Sequence, residues 1–192
     1  MNTAIIIAVI SGLLQILGYV VYNIKMYKGD IKPDTTSWAI WTFGSLMNLG
    51  AYALMTQDWV KDILPIACSF SCIVTFVICY RKKRFAWPDW KNWLIFGADC
   101  GITILWFFTS ATEASVLYQG STILSFWPIV AGIKDGTDKE HPLPWIIWTC
   151  AYTMFGISVV MRLNCWAELA YPITCFVLHG YTAWIAFRNR ST

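Results

Sequence analysis

Charge is what this sequence has least of. Only 13% of its 192 residues are Asp, Glu, Lys or Arg, about half the roughly 25% of a soluble domain. So little charge cannot cover a water-exposed surface, which excludes an ordinary soluble globule. Histidine is rarer still, with two in the chain. No nucleophile–His–acid set, glycine-rich phosphate loop or HExxH pattern occurs, so an enzyme is not expected. The seven cysteines form no CxxC and no Cys/His zinc spacing, and neither metal nor cofactor is expected. Cys68 and Cys72, four apart, fit apolar packing on a helix better than redox chemistry.

What fills the chain instead is apolar: 57% hydrophobic and 17% aromatic residues, with a mean hydropathy of +0.53. Stretches near the length of a bilayer-spanning helix recur throughout. Seven segments emerge: Thr3–Ile24, Ser37–Thr56, Ile63–Tyr80, Trp93–Ser110, Ala114–Ile133, Leu143–Met161 and Leu169–Phe187. The first lacks a basic leader and a small-residue cleavage site, so it reads as a retained helix.

Charge tests that count. Lys25, Lys28 and Lys32 follow the first segment, Arg81, Lys82, Lys83, Arg84 and Lys91 the third, Lys134 and Lys139 the fifth, and Arg188 and Arg190 the last. With seven spans these all fall on one face, and the other keeps only Lys61 and Arg162. The positive-inside rule then sets the N-terminus outside and the C-terminus in the cytoplasm, in a plasma membrane or a bacterial inner membrane. The run Arg81–Arg84 suits anionic lipid at that face better than nucleic acid.

The chain also repeats itself. Displaced by 107 positions, Gly29, Trp38, Trp41, Thr42 and Met47 fall on Gly136, Trp145, Trp148, Thr149 and Met154. Trp59 falls on Trp166, and Pro65-Ile66 and Cys68 on Pro172-Ile173 and Cys175. Such self-similarity takes precedence in assigning a fold. Segments one to three map onto five to seven, dividing the chain into a repeat at 1–84, a connector at 85–112 and a second repeat at 113–192. One intervening span makes the repeats parallel, related by an axis along the membrane normal, with a site expected near the midplane between them. The expected fold is an all-α membrane protein of seven transmembrane helices, two parallel three-helix repeats joined by a connector helix.

This layout resembles the superfamily of SWEET, PQ-loop and Pnu-type vitamin-precursor transporters. VYNIKMYKGD at the end of segment one resembles that family's Pro-Gln stretch and its basic loop, and WPIVAGIKDG ends segment five at the equivalent place. Val21-Tyr22 and Pro128-Ile129 stand where the family carries Pro-Gln. The resemblance implies either a transporter of a sugar, nucleoside or vitamin precursor, or a receptor that binds a ligand without moving it. It also implies a chain able to form a homo-oligomer.

Polar groups at mid-depth are the candidate site, because polar side chains in hydrocarbon face a cavity or the bundle interior. They are Gln15, Ser45, Asn48, Ser71, Thr122, Ser125, Tyr152 and His179. Trp38, Trp41, Ser45 and Asn48 share one helix face, as do Trp145, Trp148 and Tyr152. Rings beside neutral hydrogen-bonding groups suit a small, uncharged polar solute. Trp41 and Trp148 lie one turn deep and are expected at the cavity, whereas Trp59 and Trp166 suit an interfacial belt and Trp38 and Trp145 suit either place. Ser and Thr here also fit bonding to their own helices. His179 and Asp99 are the candidates for proton coupling, with Asp99 otherwise a pin between connector and repeat. Pro128 is the candidate hinge. Asp34 is placed to cap the second segment, Pro142 and Pro144 to open the sixth, and Glu113 and Glu168 to lie in solvent at span ends.

Overall fold

The computed structural model describes residues 3–33, 35–82, 89–137 and 139–189. Among these residues seven α-helices form: α1 (Thr3–Tyr27), α2 (Thr35–Thr56), α3 (Trp59–Arg81), α4 (Trp90–Trp106), α5 (Ala111–Lys134), α6 (Pro142–Val160) and α7 (Ala170–Arg188). A 3-10 turn, Trp166–Leu169, precedes α7. No strand occurs among the described residues. Asp34, Lys83, Arg84 and Arg190 lie outside them, and with them the expected cap and part of the basic run.

Helix ends follow local chemistry. Asp58 caps α3 by accepting from the Val60 amide at 3.2 Å, and Asp89 caps α4 by accepting from Asn92 at 2.8 Å. Ser110 and Glu113 close a reciprocal capping box on α5. At α6, His141 Nδ1 accepts from the Leu143 amide, with Pro142 as the first helical residue. The far ends of α1 and α5 are twins. Gly29 and Gly136 take φ of +79° and +70°. The amides of Gly29 and Asp30 reach the carbonyls of Met26 and Lys25, as those of Gly136 and Thr137 reach Ile133 and Gly132. Both are Schellman caps, and the left-handed φ is the reason glycine stands there.

α1, α3, α5 and α6 are each long and apolar enough to cross a membrane. α4 is shorter, at 17 residues. α2 and α7 are long enough but less apolar, α2 because it carries Thr35, Thr36, Ser37, Thr42, Ser45 and Asn48. Large apolar side chains such as Leu13, Leu54, Ile66 and Phe70 point outward and are exposed. Water would penalise that surface and hydrocarbon would not.

Side-by-side packing closes a ring. α1 lies against α3 and α6, α3 against α2, α2 against α5, α5 against α7, and α7 against α6. α4 stands outside, on α2 and α5. Small residues allow the closest approaches. A Cβ on Gly18 of α1 would fall inside the Trp148 indole of α6, and one on Gly12 would sit 2.9 Å from Ile63 of α3.

Candidate functional site

The ring encloses a cavity of about 90 Å³. Five pairs of its lining residues stand 107 positions apart: Tyr19 and Phe126, Trp41 and Trp148, Ser45 and Tyr152, Cys68 and Cys175, Cys72 and His179. Each helix of the ring thus contributes from the face the repeat would give it.

One wall is aromatic. Trp41 stacks on Phe126 with centroids 5.6 Å apart, and Trp38 meets Trp41 edge-on at 5.1 Å. Across the cavity Tyr19 and Trp148 lie 4.8 Å apart, and Tyr152 and His179 4.9 Å apart. Trp148 is anchored, its indole N–H donating to the Gln15 carbonyl at 3.2 Å while Gly18 leaves room for the ring. Trp41, its repeat partner, is only partly buried and makes no side-chain hydrogen bond among the described residues.

The other wall is polar. Asn48 accepts at Oδ1 from the Gln119 amide at 3.1 Å. Ser45 donates to the Thr42 carbonyl, Thr122 to Tyr118 and Ser125 to Thr122, at 3.0, 2.8 and 2.7 Å. His179 sets Nδ1 2.7 Å from the Cys175 carbonyl, so that nitrogen carries the proton. Nε2 has no hydrogen-bond partner among the described residues.

Asp99 comes from outside the ring. It projects from α4 between α2 and α5 and is 4% exposed. Its Oδ1 accepts from the Ser121 hydroxyl. Its Oδ2 rests against Gly44, where an added Cβ would be 2.8 Å away. The carboxyl both pins α4 to α5 and forms part of the cavity lining. Thr103, one turn on, meets the Tyr118 hydroxyl at 2.7 Å and extends the same seam.

Of the residues expected at the site, Trp41, Ser45, Asn48, Thr122, Trp148, Tyr152 and His179 all line this cavity, with Asp99 beside them. Gln15 does not line it. Its buried amide lies at the Cys68 thiol with no geometric hydrogen bond, and its backbone carries the Trp148 contact. Ser71 is buried elsewhere on α3. Pro128 lies in an unbroken α5, lining a second, apolar pocket with Trp90 and Leu94 of α4. Trp38 and Trp145 are buried, at 3% and 1% exposure, and so form no interfacial belt, while Trp59 and Trp166 are largely exposed. Tyr19, Tyr118, Gln119, Ser121 and the cysteines escaped the sequence reading. Carrying the repeat back from His179 to its equivalent, Cys72, would have found one of them.

At the end of the bundle that bears the α2–α3 and α6–α7 turns, ion pairs join the two halves of the chain. Lys61 Nζ lies 2.7 Å from Glu168 Oε2, with side-chain exposures of 0% and 1%. Glu168 also accepts from the Asn164 amide, and its carbonyl from the Tyr52 hydroxyl. The expectation that Glu168 is solvated is therefore wrong: its charge is buried because Lys61 neutralises it. Lys61 and Glu168 are themselves repeat equivalents. Beside them Arg162 grips Asp58 with two bonds, at 2.6 and 3.1 Å. Partial burial pushes the Asp58 carboxyl up, but the Arg162 guanidinium and the Val60 amide outweigh it and hold it below its ordinary value. At the opposite end Lys139 Nζ donates to the Gly29 carbonyl, and Glu140 accepts from Tyr22 and Trp145.

No family model, curated protein or solved structure matches this chain.

Proposed function

We propose that this protein is a membrane transporter or facilitator of a small polar solute, working by alternating access at a midplane cavity between two parallel three-helix repeats. In this reading α1–α3 and α5–α7 are the repeats, α4 is the connector, and the N-terminus faces outward. The observation that carries it is the set of five cavity pairs 107 positions apart within the closed ring. The twin caps at Gly29 and Gly136 support the same division. A cavity on the axis between equivalent halves can open to either face by rocking one half against the other. The ion pairs at one end and the Lys139, Glu140 and tryptophan contacts at the other are then the two closures.

Rings and neutral amide, hydroxyl, thiol and imidazole groups make up the ring helices' share of the lining. They suit a solute whose body is uncharged, of the sugar, nucleoside or vitamin-precursor class that the SWEET, PQ-loop and Pnu-type resemblance implies. Movement is facilitated diffusion unless His179 or Asp99 passes a proton, and uptake unchanged by a proton gradient in proteoliposomes would remove the coupled version. Thermal stabilisation of the purified protein against sugars, nucleosides, vitamins and amino acids tests the site, because a ligand of the folded state raises its apparent stability. A hit lost in Asn48→Ala and Trp148→Ala supports the cavity as the site, and counterflow of that solute then separates a transporter from a receptor. Binding without flux would favour the receptor.

A further inference from the structure

Among the described residues that line the cavity there is one carboxylate, that of Asp99, and neither Lys nor Arg. Ser121 supplies one hydrogen bond to Oδ1, while Oδ2 has none among the described residues. A buried carboxylate left with a neutral donor alone is costly, and a cation beside it offsets that cost.

The serine, threonine and Tyr118 hydroxyl hydrogens around the cavity are already engaged, and the Tyr19, Tyr152 and Tyr171 hydroxyls pair with one another or with the Cys68 and Cys72 sulfurs. Those of Ser45, Thr122 and Ser125 go to carbonyls of their own helices. That of Ser121 goes to Asp99. Thr103 donates to the Asp99 carbonyl, so the Tyr118 hydroxyl donates to Thr103. His179 uses its N–H on Cys175. What these groups turn to the interior is lone pairs, joined by Asp99 Oδ2 and His179 Nε2. Asn48 Nδ2 and the Trp41 indole N–H are the nitrogen donors left without a described partner. A lining dominated by acceptors calls for an occupant dominated by donors.

We infer that the cavity takes a solute bearing a protonated primary or secondary amine, with the Asp99 carboxylate as its counter-charge and the stacked Trp41 and Phe126 faces beside it. An ammonium group is all donors and no acceptor. Aromatic faces attract it through their quadrupoles, and an ionised partner makes its hydrogen bonds about twice as strong as neutral ones. A cavity of about 90 Å³ holds on the order of six water-sized groups, room for a small alkylammonium. The inference rests on the cavity being the solute site. It replaces the uncharged solute expected from the sequence with one whose neutral body carries a single cationic nitrogen.

The experiment is thermal unfolding and calorimetric titration of the full chain in detergent with isobutylammonium. Isobutanol serves as the neutral match and tetramethylammonium as the cation without N–H donors. The expected result is stabilisation by isobutylammonium, weak or no response to the other two, and a loss of affinity of about tenfold or more in Asp99→Asn. Asn can still accept from Ser121, so that variant keeps the α4–α5 seam. Gly44→Ala is the second variant: its new methyl displaces the Asp99 carboxylate without removing its charge, and binding should weaken there too. An equal response to isobutanol would overturn the inference, as would full binding in Asp99→Asn or no binding of isobutylammonium at all. Preference for tetramethylammonium would overturn the N–H part. Ammonium binding without flux in liposomes would refute transport and leave this inference standing.

Discussion

Removing Lys61 leaves Glu168 as a buried, uncompensated charge. In Lys61→Met an unbranched apolar chain one atom shorter replaces the lysine, and the carboxylate keeps only the Asn164 amide at 3.2 Å. Breaking a buried pair from one side costs about 3–5 kcal/mol, and the surviving amide bond sets the expectation near ~3 kcal/mol. For a chain of this size that corresponds to a melting-temperature drop of roughly 6–12 °C, readable by tryptophan fluorescence on heating in detergent. The double variant Lys61→Met/Glu168→Met removes both charges and should recover most of the loss, since well-packed apolar residues commonly replace a buried pair without penalty. A single variant within about 2 °C of the parent would refute the reasoning, as would a double variant less stable than Lys61→Met. Either would mean that water reaches Glu168.

Other outcomes follow from the same geometry. Gly18→Leu forces the Trp148 indole off α1 and should destabilise by about 1–3 kcal/mol, while also weakening any ligand that needs Asn48 or Trp148; an unchanged melting curve would contradict it. Asn48→Ala removes one of the two acceptors of Gln119 Nε2, which keeps the Ser115 carbonyl at 2.8 Å, and should cost about 0.5–1.5 kcal/mol by thermal unfolding. Because Asp58 titrates below its ordinary value in the folded protein, its contribution is present above the unfolded carboxylate range and is lost as pH falls through the lowered value. Asp58→Asn should therefore flatten the acid limb of a stability–pH profile and leave its slope at neutral pH unchanged.

Much of the fold and most of the cavity can be read from residues alone. Trp38, Trp41 and Thr42 recur as Trp145, Trp148 and Thr149, so their helices and inward faces were predictable from spacing. The Gly29 and Gly136 caps fit the same spacing, because a left-handed cap requires glycine at both places. Gln15 was misplaced because depth along a helix says nothing about rotation toward a neighbour; the bulk of Trp148 against Gly18 decides that face. Glu168 was misread because its partner is more than a hundred residues away, and a charge at a span end looks solvated until that partner is found. The seam position of Asp99 matches the pin expected of it, but its place in the cavity lining was hidden: that α4 lies over α2 and α5 is a packing outcome, and Gly44 opens the space only once those helices meet.

The most direct test of alternating access needs no known solute, because the cavity carries its own thiols. Cys68, Cys72 and Cys175 line it and are buried, whereas Cys150 and Cys165 are exposed. With Cys150, Cys165 and Cys100 changed to Ser, membrane-impermeant methanethiosulfonates can be applied to sealed vesicles from either side. The account predicts slow labelling of the cavity thiols from both faces, reduced by Cys72→Ser and Cys175→Ser. Labelling from one face alone would describe a receptor's pocket and contradict it.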